Sequence, residues 1–241
     1  MVLESRIKKN KRGSQVEFVV SFILFVTFII FVYVLLSSKI DSGQSKRNSL
    51  DNAEAGILNM ITDNLTVSSV SVNSGGNSGS CFTFTGLAST LSLGNNLIAQ
   101  DSSGAIVPAY SKNKDITIVS PSTFFTIYYS PNFLQSSGNP TCTNLGKGEY
   151  IIGLSKNQSA IFETKITKAF AEYSVNYTIM KKSIGIFPGD EFGMKFTYQN
   201  GSIIKTPETN STVSIFADSI PVQYVTQDLG IQFGHLEVEV W

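Results

Sequence analysis

From Phe18 to Leu36 the chain carries nineteen residues without a charge, and only Ser21 and Thr27 among them are polar. At about 1.5 Å of rise per residue this run makes a helix roughly 28 Å long, close to the hydrocarbon thickness of a bilayer. A helix on the surface of a soluble core keeps a polar face, and this run keeps none. The length and polarity fit a retained membrane-spanning helix. The competing reading is a secretory signal, whose apolar region spans about 7–15 residues and ends at a small-x-small cleavage site. Val34-Leu35-Leu36-Ser37-Ser38 is a poor version of that site. No second apolar run of comparable length follows, so one crossing is expected.

Arg6, Lys8, Lys9, Lys11 and Arg12 precede the run, opposed only by Glu4. Lys39, Lys46 and Arg47 follow it, mixed with Asp41 and Asp51. The positive-inside bias therefore predicts a cytoplasmic N-terminus and an extracellular C-terminal part. Formal net charge is zero, which leaves no electrostatic footprint for nucleic acid. Cys81 and Cys142 are the only cysteines, and both fall on the expected outer side. In an oxidising space they read as one disulfide closing a loop of about sixty residues, worth roughly 4 kcal/mol in the chain-entropy view. Two buried thiols are the alternative. Asn-x-Ser/Thr sequons stand at Asn64, Asn157, Asn176, Asn200 and Asn210. They are glycosylation candidates, in a number close to chance for a chain this rich in Asn, Ser and Thr.

Beyond the apolar run, Leu50, Ala53, Ile57, Ile61 and Leu65 recur at helical spacing, which predicts an amphipathic helix from about Ser49 to Leu65. It can continue the membrane helix, with Gly43 as a weak point. Ser68 to Cys81 is Gly/Ser-rich and reads as a linker or loop. Short strand-like runs follow at 81–85, 97–99, 105–109, 115–119, 123–129 and 150–154, separated by turn residues. The period then changes. Ile166, Phe170, Tyr173, Tyr177, Met180 and Ile184 fall at intervals of four and three, one face of a helix with Gly185 as its C-cap. After it, Phe192, Met194, Phe196 and Tyr198 alternate, Asn200-Gly201 predicts a hairpin turn, and 213–216 and 222–225 read as strands. In the terminal HLEVEVW, Leu236, Val238 and Val240 face one way and Glu237 and Glu239 the other.

The opening stretch KRGSQVEF resembles the processing signal of type IV pilin-like proteins, and within them the archaeal pilins with a class III signal peptide. The resemblance covers about 25 residues, Lys8 to Phe25 and the apolar helix behind them. The later YSVNYTIMKKSIGIFPGDEFGMKF, IPVQYV and terminal LEVEVW are also similar to such proteins. It implies that a prepilin peptidase cuts between Gly13 and Ser14 on the cytoplasmic side. The apolar helix is then retained as membrane anchor and filament core. The family's glutamate is usually the fifth residue after the cut, whereas Glu17 is the fourth after Gly13; a cut after Arg12 restores that spacing. The resemblance also assigns Glu17 to assembly, where it neutralises the new α-amine of its own or a neighbouring subunit. A second account makes Glu17 a charge favoured by the helix N-terminus.

No nucleophile elbow, Walker A loop, dinucleotide fingerprint or HExxH occurs. Asp190-Glu191 reads as a turn entering a strand, His235 as an ordinary surface residue, and Phe124, Phe125, Tyr128 and Tyr129 as core. The expected fold is α+β: a long N-terminal transmembrane helix (residues 14–66 with its amphipathic continuation, after a leader 1–13), then an extracellular β-rich head (67–241) with one inserted helix. The expected role is a structural pilin-like subunit; the alternative is a membrane-anchored binding or adhesion domain that does not polymerise. Neither an enzyme, a cofactor, a metal nor a small-molecule substrate is expected. The expected partners are the membrane, a prepilin peptidase and other pilin-like subunits.

Overall fold

The computed structural model describes residues 11–73, 79–138, 140–207 and 214–241; the side chains of residues 11–16 and 36–42 lie outside that description. The chain divides into two units, Met1–Asn48 and Ser49–Trp241. The division falls inside helix α1 (Lys11–Ile61). Then come β1 (Thr62–Val72), β2 (Phe82–Phe84), the short α2 (Leu87–Thr90), β3 (Leu97–Asp101), β4 (Ile106–Val107), β5 (Ala109–Lys112), β6 (Asp115–Ile118), β7 (Phe124–Tyr129), β8 (Thr143–Leu145) and β9 (Tyr150–Phe162). Helix α3 (Glu163–Ser183) precedes β10 (Phe192–Thr197), β11 (Ile203–Lys205), β12 (Phe216–Val225) and β13 (Ile231–Val240). The α+β class is as the periodicities predict.

Two expectations need correcting. The first helix ends at Ile61 rather than Leu65, and Leu65 is a buried strand residue. Its i+4 spacing from Ile61 satisfies a helix, but β1 lies between two partners, β9 and β7, and pairing outweighs local period. Second, the supposed linker begins with Ser68–Val72 inside β1, where Ser68, Val70 and Val72 are buried. Alternation, not composition, was the signal there. Residues 74–78 of that stretch, and Asn210 and Val213 further on, lie outside the described residues.

Nine strands form one sheet in the order β11-β10-β13-β12-β9-β1-β7-β3-β4, and β5-β6-β2-β8 form a second. Alternating residues of β10, β12 and β13 (Phe192, Met194, Phe196, Val222, Tyr224, Leu236, Val238 and Val240) are buried under helices. Leu50, Ala53, Ile57 and Ile61 of α1 and Ile166, Ala169, Phe170 and Met180 of α3 cover them. The other half of the large sheet packs on the small one through Val70, Leu97, Ala99, Phe125 and Ile127 against Phe82, Phe84, Ile116 and Ile118. The disulfide joins Cys81 to Cys142 with Cα atoms 5.1 Å apart, beside the parallel β2–β8 pair.

Helix α3 ends as its sequence predicts. Gly185 takes φ 76°, and the amides of Gly185 and Ile186 donate to the carbonyls of Lys182 and Lys181 at 3.3 and 3.2 Å, a Schellman cap. Asn176 (φ −131°, ψ 39°) kinks the helix, which the spacing did not reveal. Against the cap lies Gly56 of α1. A Cβ there would stand 2.6 Å from Ile184 Cβ and 2.7 Å from its Cα. Gly56→Ala should gain about 1 kcal/mol of helix propensity but lose roughly 1–3 kcal/mol to overpacking. We expect a lower melting temperature for the head; an equal or higher one would show that the cap yields freely.

The sheet forks between β9 and β12. These strands run parallel and pair only at Tyr224↔Ile161 and Val225↔Phe162. From Tyr150 to Ala160, β9 has a strand partner on one side only among the described residues, namely β1. Pro221 sits in β12 along the same gap, and a proline without an amide suits a strand edge. A register shift on β9 between Ile152 and Ser155 leaves Leu154 87% exposed. The strand expected to stop at Leu154 therefore continues through the polar Ser155–Ser159. The two strands expected at 213–216 and 222–225 are joined within β12, from Phe216.

Candidate functional site

The N-terminal unit has one feature that demands an environment other than water. Glu17–Leu35 is 19 residues long with mean hydropathy 3.0, and none of it is buried by the chain itself. Among the described residues it is the one helix long and apolar enough to cross a membrane, a property that a signal sequence shares. Large apolar side chains from Phe18 to Leu35 stand about half or more exposed around the whole circumference, Phe18 at 75% and Tyr33 at 70%. At roughly 1.5–3 kcal/mol for fully burying each large apolar side chain, burial on the order of 20 kcal/mol is unused. Thr27 does not interrupt the surface: its Oγ1 donates to the carbonyl of Ile23 at 2.7 Å and has that of Leu24 at 3.0 Å.

Glu17 is exposed and sits six residues after Lys11, with no acidic residue in the first turn of α1. Gly13 and Ser14 lie in the helical backbone of α1.

The head-side turns of α1 are anchored by polar contacts that the sequence did not reveal. Buried Ser49 donates from Oγ to Asp190 Oδ2 at 2.6 Å, and Asn52 Nδ2 donates to the Gly185 carbonyl at 3.2 Å. Glu191, next to Asp190, accepts from Lys181 Nζ at 2.8 Å and from Tyr177 Oη. The Lys181 and Tyr177 contacts hold the Glu191 carboxyl below its ordinary range, and burial pushes the Tyr177 phenol well up. The pair is thus a clasp between α3 and β10, in keeping with its reading as a turn.

Glu54 of α1 is the exception. Its Oε1 is buried with no hydrogen-bond partner among the described residues, and burial followed by the Asp218 and Asp51 charges raises its pKa. A raised carboxylate contributes full stability below its unfolded pKa and loses it as pH rises through the folded one. Glu54→Gln should therefore melt higher than wild type near pH 7, with the gap closing toward pH 4. A variant that melts lower at pH 7 would mean that the ionised carboxylate is needed there.

Asn64, Asn157, Asn176 and Asn200 are exposed, on β1, β9, the α3 kink and the β10–β11 turn; Asn157 Oδ1 already accepts from Thr66 Oγ1 at 2.8 Å. His235 is exposed on β13. Phe125 is core, whereas Phe124 is 43% exposed and Tyr128 and Tyr129 are half-buried, so that aromatic run only partly fills a core. No group of three or more His, Cys, Asp or Glu placed to hold a metal occurs among the described residues. No protein-family model, no curated protein and no solved structure matches the chain.

Proposed function

We propose that the chain is a structural pilin-like subunit, held in a membrane by α1 and assembling through that helix into an extracellular type IV pilus-like filament. One observation carries this reading: a carboxylate, Glu17, stands at the mouth of a nineteen-residue apolar span of which no residue is buried. Lipid covers such a surface in the anchored monomer, and the helices of other copies cover it in a filament. The KRGSQVEF signal supplies the processing step, with removal of the leader after Gly13 by a prepilin peptidase. The head, tied by the Cys81–Cys142 disulfide, suits an oxidising exterior. Its role in this reading is structural, without a reaction of its own.

The test is the mass of the mature N-terminus, from cells that contain prepilin peptidase. We expect a chain beginning at Ser14, and Gly13→Val should block the cut because a bulky side chain then precedes the scissile bond. An intact N-terminus in the wild type would overturn the assignment. The other reading, an anchored binding domain that never polymerises, is favoured by the free β9 edge; it needs no Gly-Glu signal, so its surface display would survive Gly13→Val unchanged.

A further inference from the structure

The free edge of β9 borders a cleft of about 680 Å³ on the sheet face opposite the helices. Its apolar lining comes from Leu65, Val225, Leu229 and Ile231, and Gln100, Gln158 and Gln223 bring neutral amides to it. Tyr128 Oη donates to Gln100 Oε1 at 3.1 Å, which fixes one of those amides. No charged residue lines the cleft. The register Leu65↔Gln158 and Val67↔Lys156 puts Lys156 on the same face, two residues from Gln158. Lys156 is exposed and makes no ion pair among the described residues.

We infer that the β9 edge is a docking site for an extended peptide segment of another protein, which adds a strand beside Ser155–Ala160. That segment sets one large apolar side chain in the cleft and carries an acidic residue two positions away, facing Lys156. A row of unpaired backbone amides and carbonyls is matched by another backbone. The uncharged cleft selects an uncharged anchor, since a charge moved there from water would lose its hydration without a partner. A second copy of this chain is the poorer occupant. Ser155–Ala160 itself carries no large apolar side chain, so a second copy pairing through the same stretch brings no anchor for the cleft. The bulge at Gly153–Leu154 also keeps the paired stretch to about six residues. The inference does not depend on filament assembly.

A random heptapeptide display library, panned against the full chain in detergent micelles, tests it. We expect enriched peptides with an acidic residue two positions from a large apolar one. Their affinity should fall about tenfold for Lys156→Glu, where attraction becomes repulsion. It should also fall for Gln158→Asp, which puts a charge at the rim. Bound peptide should slow hydrogen exchange of amides within residues 155–160. Failure to enrich any peptide, or binding that ignores both substitutions, would overturn the site. A change in oligomeric mass on Lys156→Glu would make a second copy the occupant. Retention of neutral oligosaccharides that Gln158→Asp abolishes would make it a sugar site; either result replaces the peptide.

Discussion

Glu17→Gln is expected to abolish filaments while leaving processed, folded monomer in the membrane. The substitution keeps the shape of the side chain and removes its charge. If Glu17 pairs with the α-amine created by the cut, that amine then faces apolar helices alone, a penalty of several kcal/mol per subunit. Repeated along a polymer, such a penalty leaves no stable assembly. If Glu17 served only the helix dipole, the loss would be a few tenths to about 1 kcal/mol with little other effect. The comparison is of sheared-filament and membrane fractions from wild type and variant. Equal filament yield would show that the carboxylate has no part in assembly.

Reduction of the disulfide, or the double change Cys81→Ser with Cys142→Ser, is expected to give the second-largest effect. The bond spans 61 residues of sequence. Constraining a loop of that size in the unfolded chain is worth roughly 4 kcal/mol in the chain-entropy model. For a head of this size that is about 10 °C of melting temperature, at roughly 2–4 °C per kcal/mol. The sulfurs lie where β2 meets β8, whose three residues pair, among the described residues, with β2 alone in the second sheet. Loss should therefore appear first as faster hydrogen exchange in β8, before the helix-covered half opens. Unchanged melting on complete reduction would mean that the small sheet holds its edge strand without the bond.

Much of the head was legible because its signals are local. Gly185 after a 3.6-period run set the cap of α3, and its neighbours made the expected bonds. Asn200-Gly201 produced the turn between β10 and β11, with Gly201 at φ 82°. The alternation of HLEVEVW put Leu236, Val238 and Val240 in the core. The cysteines could be named as a pair, but only the parallel meeting of β2 and β8 brings them together.

The candidate site divides the same way. The apolar run, its length and the position of Glu17 at its mouth are properties of consecutive residues, and the sequence alone determined them. Where α1 gives way to β1, how β9 extends through a polar stretch, and why a fork opens beside it depend on partners far away in the chain. Leu65 satisfies both a helix at i+4 and a strand at i+2, and only β9 and β7 on either side choose between them. Ser155–Ser159 looks like a loop until β1 pairs with it. Glu54 owes its raised pKa to burial and to Asp218, which β12 brings to it. A strand's hydrogen bonds are made to another segment, so its own residues do not contain the information that a helix carries within itself; the tertiary structure alone supplied it.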